Sequence, residues 1–282
     1  MSRKRNYSTR KKLVKKTTFR PRKQWGQVFL RSPAVANQII KAAEIKPQDI
    51  ILEIGPGTGF LTEKLLSAGA QIIAVEKDKE LVEYLLQKFP SPNLSLISAD
   101  IRKLLRDNKS QLYNLLSNKC YKVVGNIPYY LTSYLIRLLL QLPQKPQLII
   151  LMIQKEVAQR ITVSPPQMNL LAVLTQSQAE VQLITFVSRK VFWPRPKVDS
   201  AIIKLIPIQN HLSSSFLRLV KAGFSHKRKY LITNISQQLS LPVPKLQQIF
   251  LQLKIPLQAR AQELSLNQWK ALNQTLLSQN ML

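Results

Sequence analysis

Three carboxylates beside a glycine turn, and one short aromatic run, hold most of the chemistry in this sequence. Glu53 stands just before Gly55, Gly57 and Gly59 in EIGPGTGFL, Glu76 ends the apolar run QIIAVE, and Asp100 ends NLSLISAD. A glycine turn between an apolar run and a helical segment lets backbone approach a ligand at a helix N-terminus. The spacing is G-x-G-x-G, which is neither the G-x-G-x-x-G dinucleotide fingerprint nor a triphosphate loop with its Lys-Ser/Thr. An acid before the turn disfavours a polyphosphate and suits a cation. Glu76 follows Gly55 by 21 residues, the offset at which an acid in doubly wound folds bonds a ribose diol. Any one of these acids alone reads as a solvated strand end or a helix cap. Together with the turn they predict an adenosyl ligand. S-adenosylmethionine, with a positive sulfonium, a ribose and an adenine, fits best.

The aromatic run is Asn126-Ile127-Pro128-Tyr129, which leaves the apolar segment YKVVGN. By itself it reads equally as a turn with a buried tyrosine. At the same sheet edge as the three acids it suits methylation of an exocyclic amine on a nucleobase. Such an amine has its lone pair delocalised into the ring, and acceptors on its hydrogens favour the nucleophilic form. The Asn126 side chain and the Ile127 backbone carbonyl are candidate acceptors. Pro128 has a fixed φ and helps aim that carbonyl, and Tyr129 offers a stacking face.

The elements that must position these groups alternate. Apolar runs at 49–54, 71–76, 93–100, 121–126 and 147–153 alternate with helical spacing at 60–67, 78–89, 131–141 and 154–162. This predicts an α/β domain with a mostly parallel sheet. Two further runs, 181–188 and 200–206, predict an antiparallel pair at the sheet's edge. Beyond Pro207 only helical spacing follows, over 213–224, 228–239, 243–253 and 266–280. The expected layout is a basic, disordered arm over 1–24, a catalytic domain over 25–207 and a helical RNA-binding domain over 208–282.

Charge identifies the partner class. Lys plus Arg is 42 against 14 Asp plus Glu, a net +28. Residues 1–24 hold eleven of the cations and no acid, and 211–282 hold nine with one acid. Such a field points to a polyanion, in the first place nucleic acid. An anionic membrane is the less common partner of such a field. No apolar run is long enough to span a membrane and the start has no signal core. The expectation is a cytoplasmic protein with no membrane partner, or one of an organelle matrix if the arm is a transit peptide. The single cysteine, Cys120, excludes a disulfide framework and is expected to pack in the core. Two histidines, His211 and His226, lack metal-ligand company, so no metal is expected. They also supply no hydrolase triad.

The sequence resembles the ribosomal RNA adenine dimethyltransferases over roughly residues 23–282. The likeness rests on KQWGQVFL (23–30), LEIGPGTGFLT (52–62), AVEKD (74–78), GNIPYYLTS (125–133), LMIQKEVAQRI (151–161), VFWPRPKVDSAII (191–203), GFSHKRKYLITNI (223–235) and RAQELSLNQW (260–269). It implies a Rossmann-like, S-adenosylmethionine-dependent methyltransferase domain followed by a small all-helical C-terminal domain. It implies cofactor contacts at Val28, Leu30, Gly55, Gly57, Glu76, Asp100 and Asn126, and a target-amine site at Asn126, Ile127, Pro128 and Tyr129. Phe192 matches the ring that stacks on the target adenine's other face, while Trp193 stays open between surface packing and RNA contact. Arg195, Lys197, Lys227, Arg228 and Lys229 are the implied RNA contacts, the last three in a basic cluster on a helix start.

The resemblance is strongest to the branch that dimethylates two adjacent adenosines near the 3′ end of small-subunit (16S) rRNA, which the long C-terminal match favours. That branch implies a monomer acting on the pre-30S subunit in ribosome biogenesis. The alternatives are the resistance-type methylase of large-subunit (23S) rRNA and a non-catalytic RNA-binding or transcription factor on the same fold. Two departures stand out. Val28 replaces a residue that is often polar in the family, so only a backbone contact there survives. The loop TVSPPQMN (162–169) is short, which puts in doubt any RNA contact or cofactor gating by it.

Overall fold

The computed structural model describes residues 21–22, 25–208 and 212–282. Most of the basic arm and His211 therefore lie outside the described residues. The chain forms β1 (Phe29–Leu30), α1 (Pro33–Ala42), β2 (Ile50–Ile54), α2 (Phe60–Ser67), β3 (Gln71–Glu76), α3 (Lys79–Lys88) and β4 (Leu94–Ser98). It continues with α4 (Ile101–Leu104), α5 (Gln111–Leu116), β5 (Tyr121–Asn126), α6 (Thr132–Gln141), β6 (Leu148–Gln154), α7 (Lys155–Ile161), α8 (Leu170–Gln176) and β7 (Ala179–Val187). Then come β8 (Phe192–Trp193), β9 (Ser200–Pro207), α9 (Ser214–Gly223), α10 (Leu231–Leu239), α11 (Val243–Gln252) and α12 (Leu266–Ser278).

Seven strands form one sheet in the order β4-β3-β2-β5-β6-β9-β7. The first five are parallel. β9 runs antiparallel between β6 and β7, which puts the predicted antiparallel pair at the edge. Alternate residues of each strand point to opposite faces. Leu52, Ile54, Val75, Val123, Ile149 and Leu151 pack with α4–α7 on one face, and Ile51, Ile72, Val124, Ile150 and Met152 pack with α1 and α2 on the other. Burial on both faces explains why these strands read as continuous apolar runs. The chain turns from β2 toward β3 and β4, and later from β5 toward β6. The strand order therefore reverses between β2 and β5, where open sheets leave a crevice at the strands' carboxyl ends.

The C-terminal helices bury a second core around Trp269 and Phe250. Gly223 makes room for it, since a Cβ there would lie 2.4 Å from Trp269 Cη2. This core also takes in Met168, Ala172 and Val173, so α8 and the short 162–169 loop are docked against the helical unit. Met168 N donates to Gln262 O at 3.0 Å. One expectation is corrected here. Cys120 is exposed, because it precedes β5 on the rim opposite the crevice and outside the apolar stretch.

Candidate active site

The crevice holds a cleft that opens to solvent. Its walls come from β2 and its turn (Glu53–Pro56), the ends of β3 and β4 (Glu76, Asp100), and Asn126–Pro128 after β5. A strap over Trp25–Leu30 closes another side. The strap is pinned to the start of α3. Gln27 Nε2 donates to Asp78 Oδ2 at 3.1 Å, and Arg22 pairs with Asp78 and Glu80 at 3.4 and 2.8 Å. The Arg22 guanidinium also lies 4.6 Å from the Trp25 ring. Arg22, a cation of the basic arm, is thus bonded to the site's strap and to α3.

The glycine turn serves the acids. Gly55, Gly57 and Gly59 all have positive φ, a region open to glycine at little cost. Gly55 lines the cleft. Gly57 does not, and its contribution is indirect. Its N–H donates to Glu76 Oε2 at 3.2 Å, and a Cβ on it would meet the Phe29 ring at 2.9 Å. Glu76 Oε1 accepts from the backbone N–H groups of Lys77 and Asp78 at 2.8 and 3.0 Å, so the carboxylate is fixed with one lone pair left, on Oε2. Burial raises its pKa against these bonds. Glu53 is deeper. Burial pushes it up to about 8, opposed by a hydrogen bond from Thr62 Oγ1 at 2.8 Å and reinforced by the charge of Glu76. Asp100 lies at the other extreme. Arg102 bonds both its oxygens, Lys77 Nζ adds a contact at 3.4 Å, and its carboxyl is held well below the ordinary range. Its acceptor positions are met, so a further bond to a ligand requires Lys77 or Arg102 to yield.

Asn126 supplies the most informative geometry. Its Nδ2 donates to the Val28 carbonyl at 2.9 Å, which orients the amide. Its Oδ1 is shielded from solvent and has no hydrogen-bond partner. A buried acceptor left unmet is costly, and here it belongs to a residue that lines the cleft. Such an orphan suits a ligand that brings an N–H. Val28 lines the cleft, and its backbone carbonyl is taken by Asn126. Ile127 and Pro128 line the cleft, and the Pro128 carbonyl closes the following turn by accepting from Leu131 N at 2.9 Å.

The aromatic expectations are met unevenly. The Tyr129 hydroxyl bonds Ser200 Oγ at 2.8 Å, and the residue does not line the cleft. Ser200 is fully buried at the start of β9, so the KVDS motif anchors the Asn-Ile-Pro-Tyr turn, a link the sequence did not reveal. Phe192 is buried in the core behind Leu30 and does not line the cleft either. β8 pairs with β1 and places Phe192 opposite Leu30 and Trp193 opposite Phe29. A stack of Phe192 on a base requires part of this core to open. Trp193 is exposed, stacked at 6.2 Å on Phe29, with the Arg31 guanidinium 4.7 Å from its ring. Leu30 lines the cleft as expected. The aromatic residues that do line it are Trp25, Phe29, Phe60 and Tyr130, and Tyr130 had no role expected from the sequence.

Arg195, Lys197, Lys227, Arg228 and Lys229 are all exposed. The basic cluster lies in a turn before α10 and not on the helix, which begins at Leu231. Asn234 holds that turn from below, donating to the Gly223 and His226 carbonyls at 2.7 and 3.0 Å. Among the described residues no cluster of three His, Cys, Asp or Glu is arranged to hold a metal, and no helix is long and apolar enough to cross a membrane.

Comparison with known proteins bears on this geometry. The family model for ribosomal RNA adenine dimethylase matches residues 18–276. A ribosomal RNA small subunit methyltransferase A from Rippkaea orientalis is 42% identical over 88% of this chain and 95% of its own. One from Dehalococcoides mccartyi is 37% identical over 93% and 90%. Among solved structures, a dimethyladenosine transferase from Plasmodium falciparum superposes with a TM-score of 0.76 at 27% identity, covering 89% of this chain and 98% of its own. The 23S rRNA methyltransferase ErmE gives 0.70 at 25% identity, covering 88% and 99%. The helical C-terminal part is shared by both kinds of enzyme, so its length does not separate them as expected from the sequence. The curated relatives at 37% and 42% identity are both small-subunit methyltransferases.

Proposed function

The chain belongs to the ribosomal RNA adenine dimethylase family, and from that premise we propose that it methylates the 6-amino groups of two adjacent adenosines near the 3′ end of small-subunit (16S) rRNA during ribosome biogenesis. The donor is S-adenosylmethionine, which supplies a methyl group on a positively charged sulfur. Glu76 is placed for the ribose diol, Glu53 and the Gly55 turn for the cationic end, Leu30 for an apolar face, and Asp100 for a donor on the adenine. The protein acts in the cytoplasm, as a monomer and without a metal.

The observation that carries the reading is the unmet Asn126 Oδ1 at the end of the cleft. It accepts one hydrogen of the target amine, and the Ile127 carbonyl accepts the other. Both are preorganised dipoles, so they stabilise the positive charge that grows on nitrogen during attack. No strong base is required, because the proton leaves to water after the new N–C bond has formed. Tyr129, held by Ser200, fixes the turn, and its ring meets a base only if the turn shifts, since it does not line the cleft. Phe192 is the second ring of the proposed clamp. The exposed cations at 195, 197 and 227–229 hold the phosphates.

A methyl-transfer assay with labelled cofactor tests this on undermethylated small subunits, on large-subunit precursor RNA and without RNA, followed by mapping of the modified bases. Label on two adjacent adenosines of the small-subunit RNA, lost in Asn126→Ala, is the expected result. Label confined to large-subunit RNA would reassign the substrate, and RNA binding without any label would make the protein a binding factor.

A further inference from the structure

The catalytic domain carries a second cationic and aromatic surface, distinct from the cations assigned above. Between residues 101 and 141 the chain has seven Lys or Arg and one acid, Asp107. Tyr130 stands at the mouth of the cleft, lining it while 57% exposed, with its ring against the backbone of Gly26. Tyr130 lies in the turn before α6, Tyr134 and Arg137 are three residues apart on that helix, and both tyrosines lie within electrostatic reach of Arg102. The Arg137 guanidinium lies 5.5 Å from the Tyr134 ring centre, and Arg106, just past α4, lies 5.1 Å from it. Neither arginine forms an ion pair among the described residues. Asp107 is engaged with the backbone N–H of Lys109. Arg102 completes the cluster from the Asp100 side.

An exposed ring, Tyr130, on a surface that also carries guanidinium groups packed on a second ring, Tyr134, is a means of holding a single-stranded nucleotide, the exposed ring stacking the base and the cations bonding the phosphate. The position is informative as well. A base that reaches Asn126 from a polynucleotide brings its neighbour to the mouth of the cleft, and Tyr130 is four residues from Asn126 on that mouth. We propose that Tyr130, with Tyr134, Arg106 and Arg137, forms a subsite for the unpaired purine nucleotide next to the target. Its base stacks on Tyr130 and its phosphate lies on the two arginines. This rests on the RNA-methylating reading above and adds to it the place of the neighbouring nucleotide.

Full-length wild type, Tyr130→Ala, Tyr130→Trp and the double variant Arg106→Ala/Arg137→Ala are compared on undermethylated small subunits. KM and kcat, cofactor Kd by calorimetry and the salt dependence of RNA binding are measured. Tyr130→Ala should raise KM for the subunit by about 5- to 100-fold, the range for loss of one base stack. Tyr130→Trp should stay within about threefold of wild type, because it keeps a ring. The double arginine variant should raise KM, flatten the log Kd against log salt slope by about 1.5 and leave cofactor Kd unchanged, since neither residue lines the cleft. An unchanged KM in Tyr130→Ala overturns the proposal. So does a loss that merely follows weakened cofactor binding, or a double variant with the wild-type salt slope. No label from the wild type would defeat the RNA-methylating reading itself, and the subsite with it. Label from wild type with an unaffected Tyr130→Ala defeats the subsite alone.

Discussion

Asn126 divides its amide between structure and chemistry. The N–H side holds the Val28 carbonyl and hence the strap, while the carbonyl oxygen waits for a donor. If Asn126 Oδ1 accepts from the target amine as proposed, Asn126→Ala removes that acceptor and kcat is expected to fall by about 100- to 1000-fold, as for loss of one preorganised electrostatic partner. Circular dichroism should show the fold retained. Glu53 makes a prediction about pH. Its folded pKa is raised to about 8, so the folded protein holds a proton that the unfolded chain has released. Stability of the cofactor-free protein should then fall as pH rises from the ordinary carboxylate range to about 8 and level off above it. A cation bound near Glu53 favours the ionised form. Cofactor binding should therefore release a proton below about pH 8, with affinity climbing toward that pH by no more than tenfold per unit. Calorimetry at pH 6.5 in buffers of different ionisation heats reads the proton directly. A value of zero, or a slope that survives in Glu53→Gln, would assign the effect elsewhere.

At the scale of elements, the site depends on close approach between the strap and the glycine turn. Phe29 lies where a Gly57 side chain would be, and Gly57 N–H holds Glu76. Gly57→Ala combines a left-handed backbone penalty of about 1–2 kcal/mol with a clash at 2.9 Å. Cofactor affinity should drop about tenfold or more while RNA binding persists, which filter binding and calorimetry separate. Gly223 has the corresponding position in the helical unit. Gly223→Ala drives a methyl into the Trp269 ring and should cost about 1–3 kcal/mol, the usual range for overpacking. Denaturant titration followed through tryptophan fluorescence measures it. Some of these elements carried legible signals. Ser32-Pro33 is a helix start, yet α1 has only a short apolar stripe. β1 and β8 are two residues each and have no periodicity to read.

Across the whole molecule, the +28 charge makes RNA affinity steeply salt-dependent. Changing Lys227, Arg228 and Lys229 together to Ala should flatten the log–log salt slope by about two to three, at roughly 0.7–0.9 per phosphate contact. Cofactor Kd should be unaffected, because these residues lie on the helical unit and away from the cleft. An unchanged slope would remove that turn from the RNA interface. Met168, Ala172 and Val173 tie the catalytic sheet to the helical core. Cleft and basic turn are therefore held by one continuous packed structure.

The seven strands of the main sheet, its mostly parallel character and the three acids at one edge were readable from the sequence, because both-face burial makes parallel strands continuous apolar runs and each acid lies at or near the end of one of them. The Asn-Ile-Pro-Tyr turn was readable for the same reason, as an unusual exit from such a run. What the sequence could not specify were contacts between residues far apart in the chain. The Ser200 bond to Tyr129, the pinning of Arg22 and Gln27 on Asp78, and the burial of Phe192 behind Leu30 all depend on how β9, α3 and β1 pack against distant segments. Periodicity reports which face a residue takes, and only the packed structure decides which partner it meets there. The same holds for the cleft's aromatic wall. Tyr129 and Tyr130 are adjacent and chemically alike, and the turn after β5 directs one to Ser200 and the other to the mouth of the cleft.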